Sequence, residues 1–169
     1  VRIVEEKFKI KLNSKIPFIS NLGRDYEWKT EYDQIPVDSR SLIFTAKKII
    51  EYFPLRESKF LVVGDDDMLS LILSCLGIKC VVTDIDEDLI RIHEEIKNFF
   101  ELPLEIKRCD VRGRVRLKNF FAFHCNPPDT LKGTESFLKF GIKAFNKRWG
   151  GFVFVHVGYG DLGLSLIHI

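Results

Sequence analysis

Asp65, Asp66 and Asp67 are three consecutive carboxylates. They follow an apolar run, Phe60-Leu61-Val62-Val63-Gly64, and stand just before a helical pattern that opens near Met68. In a strand-turn-helix unit the free N–H groups at the helix start favour an anion over the turn. Three aspartates reverse that preference and describe a site for a cation. A plainer reading makes one of them the helix cap and leaves the others in solvent, since Asp is a favoured N-cap and suits a first turn. One cap accounts for one residue.

Other acids and amides recur where strands are expected to end. Cys80-Val81-Val82-Thr83-Asp84-Ile85-Asp86 closes on Asp84, roughly twenty residues beyond the first turn, the spacing at which a carboxylate reaches a ribose diol. Asp86 is placed to cap the helix beginning Glu87-Asp88-Leu89, which makes Asp84 the better ribose candidate. A third strand ends in Cys109-Asp110 and a fourth in Asn126-Pro127-Pro128-Asp129. Taken singly, each is an ordinary turn former. Together they would line one edge of a sheet, where open α/β sheets bind ligands.

The elements that must carry these residues alternate along the chain. Apolar runs predict strands at 59–64, 80–84, 104–109, 119–125 and 151–157, and helical spacing predicts helices at 67–76, 87–100 and 134–147. Asp38 is an expected N-cap for an earlier amphipathic helix carrying Leu42, Ile43, Ala46, Ile49 and Ile50, ended by Pro54. Nearly continuous apolar strands separated by helices predict a doubly wound α/β fold with a mostly parallel sheet. Residues 1–36 contain a short alternating strand, Phe8 to Leu12, followed by Asn13, Pro17 and Gly23. They read as a connector or the remnant of a preceding domain, and residues 37–169 as the core.

Composition narrows the function. A net charge of +2 across 169 residues lacks the basic stripe of a nucleic-acid binder. The basic residues from Lys107 to Lys118 are read mainly as a solvated loop. Cys75, Cys80, Cys109 and Cys125 form no C-x-x-C pair and are expected to be reduced, which suits a cytoplasmic location. No apolar stretch reaches a membrane span. His93 is expected at or near a helix surface, and His124 and His156 in strands. With no His-x-x-x-His or nearby carboxylate at ligand spacing, no metal site is expected. Trp28 and Tyr32 are candidate walls of a substrate channel, although packing is the more usual role. No G-x-S-x-G elbow is present for hydrolase chemistry.

These features resemble the class I fold of S-adenosylmethionine-dependent transferases. More narrowly, five elements resemble the branched-chain polyamine synthases, the N4-bis(aminopropyl)spermidine synthase family. They are Tyr32-Asp33-Gln34, Gly64-Asp65-Asp66-Asp67, Thr83-Asp84-Ile85-Asp86, Asp110 with Arg112, and the diproline loop followed by Gly133-Thr134-Glu135-Ser136-Phe137-Leu138. The resemblance implies a Rossmann-like core that here lacks its last strands, and aminopropyl transfer from decarboxylated S-adenosylmethionine to a polyamine. It implies Gly64, Asp65, Asp84 and Asp110 on the donor, Asp66, Asp67 and Asn126 at the chemistry, and Tyr32, Asp33 and Asp129 on the acceptor. Expected partners are a small-molecule polyamine and, in a homodimer, a second copy of the chain, without nucleic acid or a membrane.

The residues agree with this chemistry. A polyamine is a row of ammonium groups, and desolvated cations need carboxylate partners. The undecarboxylated donor would bring a carboxylate that the aspartates repel. One departure concerns the fourth strand, where the family's Asp-Pro-Pro-Tyr is replaced by Asn126-Pro127-Pro128-Asp129. Asn126 accepts a hydrogen bond but brings no charge. Asn-Pro-Pro is also a mark of amino-group methyltransferases that act on nucleic-acid bases, so an S-adenosylmethionine-dependent N-methyltransferase is the alternative. A nucleoside-binding module without catalysis is the third reading.

Overall fold

The computed structural model describes residues 29–32, 34, 37, 39–52, 58–114, 116–146 and 151–156. The expected strand at 8–12, Trp28, Asp33, the Asp38 cap and Pro54 lie outside them. A 3-10 turn, Thr30–Tyr32, is followed by α1 (Ser39–Tyr52), β1 (Phe60–Val63), α2 (Leu69–Cys75), β2 (Cys80–Asp84) and α3 (Glu87–Phe100). Then come β3 (Leu104–Arg108), β4 (Ala122–Cys125), α4 (Leu131–Ala144) and β5 (Phe152–Val155). All strand pairs are parallel in the order β3-β2-β1-β4-β5. This is the expected doubly wound sheet.

Strand alternation divides the core into two layers. Phe60, Val62, Cys80, Val82, Leu104 and Ala122 point to one face, where they pack with Ala46 and Ile49 of α1, Leu69 and Leu73 of α2, and Leu89 and Ile96 of α3. Leu61, Val63, Val81, Phe123 and Cys125 point to the other and meet Phe140 and Ala144 of α4. Every residue of β1 and β4 is buried, as strands covered on both sides should be. The edge strand β5 is mostly exposed.

Several boundaries differ from the sequence expectation for identifiable reasons. α2 begins at Leu69 because Asp66 and Asp67 form a turn and Met68 takes a left-handed φ of 59°. α4 begins at Leu131 because the Thr130 hydroxyl accepts from the Gly133 N–H at 3.1 Å, supplying a cap. Its expected end at 147 moves to Ala144, where Phe145 pairs with Phe120 and the Asn146 N–H donates to the Phe120 carbonyl at 2.9 Å. No described helix is long and apolar enough to cross a membrane.

Register sets the site. Val63 pairs with Thr83 on one side and with Cys125 on the other, so the turns after β1, β2 and β4 emerge side by side. The order reverses between β1 and β4, which opens a crevice at the carboxyl ends of the strands.

Candidate active site at the carboxyl edge of the sheet

A cavity of about 610 Å³ occupies this crevice, a volume typical of small-molecule sites. Its walls bring together Tyr32, Gly64, Asp65, Asp66, Asp84, Asp110 and Asn126 from five separated stretches of sequence. Asp67 and Asp129 are not among the lining residues. The 3-10 turn containing Tyr32 is flanked by residues tied to α3 and its cap. Lys29 Nζ lies 2.7 Å from both Asp86 Oδ1 and Asp88 Oδ2, and Gln34 Nε2 donates to Asp86 Oδ2 at 3.1 Å.

Gly64 makes the turn possible. Its φ is +68°, and a Cβ there would sit 2.9 Å from Phe137 Cε1. Both the left-handed backbone and the neighbouring ring favour glycine. Asp65 follows, fully buried. Its carboxylate accepts from the Ser70 N–H at 3.2 Å and faces His93 Nε2 at 2.7 Å, while His93 Nδ1–H donates to the Leu89 carbonyl at 2.7 Å. Burial alone would lower the His93 pKa, but the hydrogen bond and charge of Asp65 outweigh it and raise the pKa. The two side chains form a buried hydrogen-bonded pair that biases the imidazole toward its charged form.

His93 corrects the sequence expectation of a surface or partly buried residue, since it is 1% exposed. The signal was legible as the spacing Leu89, His93, Ile96, which is the buried stripe of α3. Two aspartates, rather than one, cap α2: Asp65 through Ser70 and Asp67 Oδ1 through the Leu69 N–H at 3.1 Å.

Asp66 is the turn carboxylate that both lines the cavity and forms no ion pair among the described residues. Burial and the like charges of Asp65 and Asp84 push its pKa up to about 7. Asp84 accepts from the N–H groups of Asp65 at 3.0 Å, Ile85 at 2.7 Å and Asp86 at 2.9 Å. Burial raises its pKa against those hydrogen bonds. One of its two oxygens carries a single bond and keeps a lone pair for an incoming hydroxyl. Asp86 caps α3 through the Asp88 N–H at 2.9 Å, as the sequence implied, and stays off the cavity wall.

Asp110 is gripped by the Arg112 guanidinium at 2.9 and 2.6 Å, which lowers its pKa. Ile85 and Val111 add apolar surface to the same cavity lining. On the opposite wall Asn126, Pro128, Gly133 and Phe137 surround the diproline loop.

Behind the turn the structure departs most from expectation. Asp67, His124 and His156 come within ligand distance of one another. Asp67 is held well above the usual carboxylate range by burial and by the charges of Asp65 and Asp66, whereas burial lowers His124 to about 4. The expectation that no carboxylate stands near these histidines is therefore corrected. Asp67 follows β1, His124 lies in β4 and His156 follows β5, so the β1-β4-β5 order is what joins them.

A parallel sheet in this order, with a crevice at its switch point, is the class I S-adenosylmethionine-dependent transferase fold. Residues 23–160 match the branched-chain polyamine synthase A C-terminal domain, and the chain belongs to that family. It is 34% identical over 122 residues to the N(4)-bis(aminopropyl)spermidine synthase of Methanocaldococcus jannaschii, covering 69% of this chain and 35% of that protein. The branched-chain polyamine synthase of Thermus thermophilus, solved with N4-aminopropylspermidine and 5'-methylthioadenosine, superposes with a TM-score of 0.70 at 25% identity. That match covers 76% of this chain and 39% of the other. An RNA methyltransferase-like protein of Pyrococcus horikoshii shares the fold, with a TM-score of 0.60 at 14% identity over 70% of this chain and 62% of its own. The chain thus spans little more than a third of its polyamine-synthase relatives.

Proposed function

We propose that this chain supplies the donor and acceptor walls for aminopropyl transfer from decarboxylated S-adenosylmethionine to a polyamine amine. The observation that carries the reading is Asp66, a nearly buried carboxylate on the cavity wall with no cationic partner among the described side chains. An ammonium group placed there completes an ion pair that the protein leaves half made. The Thermus relative was solved with a branched polyamine and methylthioadenosine, which supports a polyamine and a thioether nucleoside as the ligand pair.

Asp84 would hold the ribose diol, and Ile85 and Val111 would flank the base. Asn126 would accept a hydrogen bond from the reacting amine across the cavity and aim its lone pair. In the transfer, the amine nitrogen forms a bond to the propyl carbon attached to sulfur as that carbon–sulfur bond breaks. The bonding pair moves to sulfur and neutralises the sulfonium. The proton shed by nitrogen passes to a carboxylate, with Asp66 the nearest candidate, or through it to water.

Asn126 favours a second reading, methyl transfer from S-adenosylmethionine to an amine, because a neutral amide replaces the family's aspartate in the diproline loop. The test incubates the full-length protein with spermidine and each donor in turn and weighs the products. A product heavier by one aminopropyl group is expected with the decarboxylated donor. Gain of one methyl group would establish the second reading instead. Asp66→Asn should abolish amine use by about 100-fold or more while retaining methylthioadenosine binding, since it removes one charge from the acceptor wall alone.

A further inference from the structure

The buried space behind the acidic turn holds a cluster that the transfer reaction does not use. On β4 and β5, His124 lies opposite Phe154, and alternation carries His124, Phe154 and His156 to the same face of the sheet. The His156 N–H donates to the Cys125 carbonyl at 2.9 Å, which fixes the residue beside the end of β4. Asp67 approaches from the β1 turn with Oδ1 occupied by the Leu69 N–H. One ligand atom from each of Asp67, His124 and His156 lies within 4.8 Å of the others. Asp67 Oδ2, both ring nitrogens of His124 and Nδ1 of His156 are buried with no hydrogen-bond partner. Four orphaned polar atoms in one place are far outside the habit of folded proteins.

We propose that Asp67, His124 and His156 bind one divalent first-row transition ion of the zinc class through a carboxylate oxygen and two imidazole nitrogens. Two imidazoles and a carboxylate form a ligand set suited to such ions. A tetrahedral ion with bonds near 2.1 Å sets its ligands roughly 3.4 Å apart, so the cluster needs to close by at most about 1.4 Å through side-chain torsions. Asp65 faces His93, Asp86 faces Lys29 and Asp110 faces Arg112, whereas Asp67 Oδ2, the His124 ring and His156 Nδ1 have no hydrogen bond in a cluster at ligand distance. A metal ion would displace the carboxyl proton and take a lone pair from each of the three residues at once. His156 is only partly buried and offers a path of entry.

The site is tested on the full-length protein, stripped with a chelator and then dialysed against micromolar zinc or cobalt(II). One ion per chain is expected by elemental analysis, with the visible absorption of tetrahedral cobalt. The ring nitrogen resonances of His124 and His156 should move on zinc addition while those of His93 stay in place. His124→Leu and His156→Ala should each weaken binding on the order of 100-fold, and circular dichroism checks their folding. Failure of the wild-type protein to retain zinc would overturn the site, as would equal retention by folded variants. Unmoved His124 and His156 signals in the zinc-saturated wild type would assign the cluster to a bridging water and overturn it even if neither variant folds.

Discussion

The two halves of the sheet edge treat their polar groups in opposite ways. On the β2 and β3 side every acid at a strand end is answered: Asp84 by three backbone N–H groups, Asp86 by Lys29 and Gln34, Asp110 by Arg112. From the β1 turn across β4 and β5, Asp67, His124 and His156 keep buried atoms without partners, and Asp66 faces the cavity without an ion pair among the described residues. Answered groups hold the protein's own turns in place. Groups left unanswered at a cost of about 1–3 kcal/mol each are compensated only when something arrives from outside. The contrast separates residues that hold the crevice from the candidates for using it.

His93 is where the contrast breaks most severely. His93→Gln strands the buried Asp65 carboxylate and should cost about 3–5 kcal/mol in urea denaturation. The same pair predicts a pH dependence. Because the folded His93 pKa is raised above its unfolded value of about 6.5, its contribution is fully present below that pH and declines as pH rises through the folded pKa. The wild-type slope above neutrality should be shallower in the variant. An unchanged slope would mean that the pair is not ionised.

Asp84→Asn comes next. An amide cannot accept on both atoms, so one of the three N–H groups faces a donor, at a cost of about 1–3 kcal/mol. Calorimetry with methylthioadenosine should show weaker binding in the folded variant; undiminished binding would remove Asp84 from the nucleoside wall. Gly64→Ala should lose about 1–2 kcal/mol by thermal denaturation through its left-handed φ alone. Pairing it with Phe137→Leu should relieve any further loss caused by the 2.9 Å approach to the ring. Asp66→Asn has the smallest expected effect on stability and the opposite sign. Removing an unpartnered, nearly buried charge should stabilise the fold by up to about 1 kcal/mol while polyamine binding is lost, the trade expected of a functional group. A clear loss of stability in this variant would place Asp66 among the structural acids.

Periodicity and local chemistry made much of this legible in advance. The apolar runs at Phe60, Cys80 and Ala122 specify strands because their backbones must be paired wherever both faces are covered, and the Asp86 cap follows from its place before Glu87. The Gly64-Asp65-Asp66-Asp67 turn also made a cation site an expectation through composition alone. It could not show that its acids have different fates, because the separation depends on where each side chain points in a single tight turn. Asp65 goes inward to His93, Asp66 to the cavity, and Asp67 toward His124 and His156.

Short-range pattern thus carried the strands, the caps and the acidic edge, since each rests on interactions within a few neighbouring residues. Partnership was decided only in three dimensions. Asp67 and His156 are far apart along the chain, and β4 must insert between β1 and β5 before they meet. Charge compensation depends on distance through space, and no spacing along a linear chain encodes it.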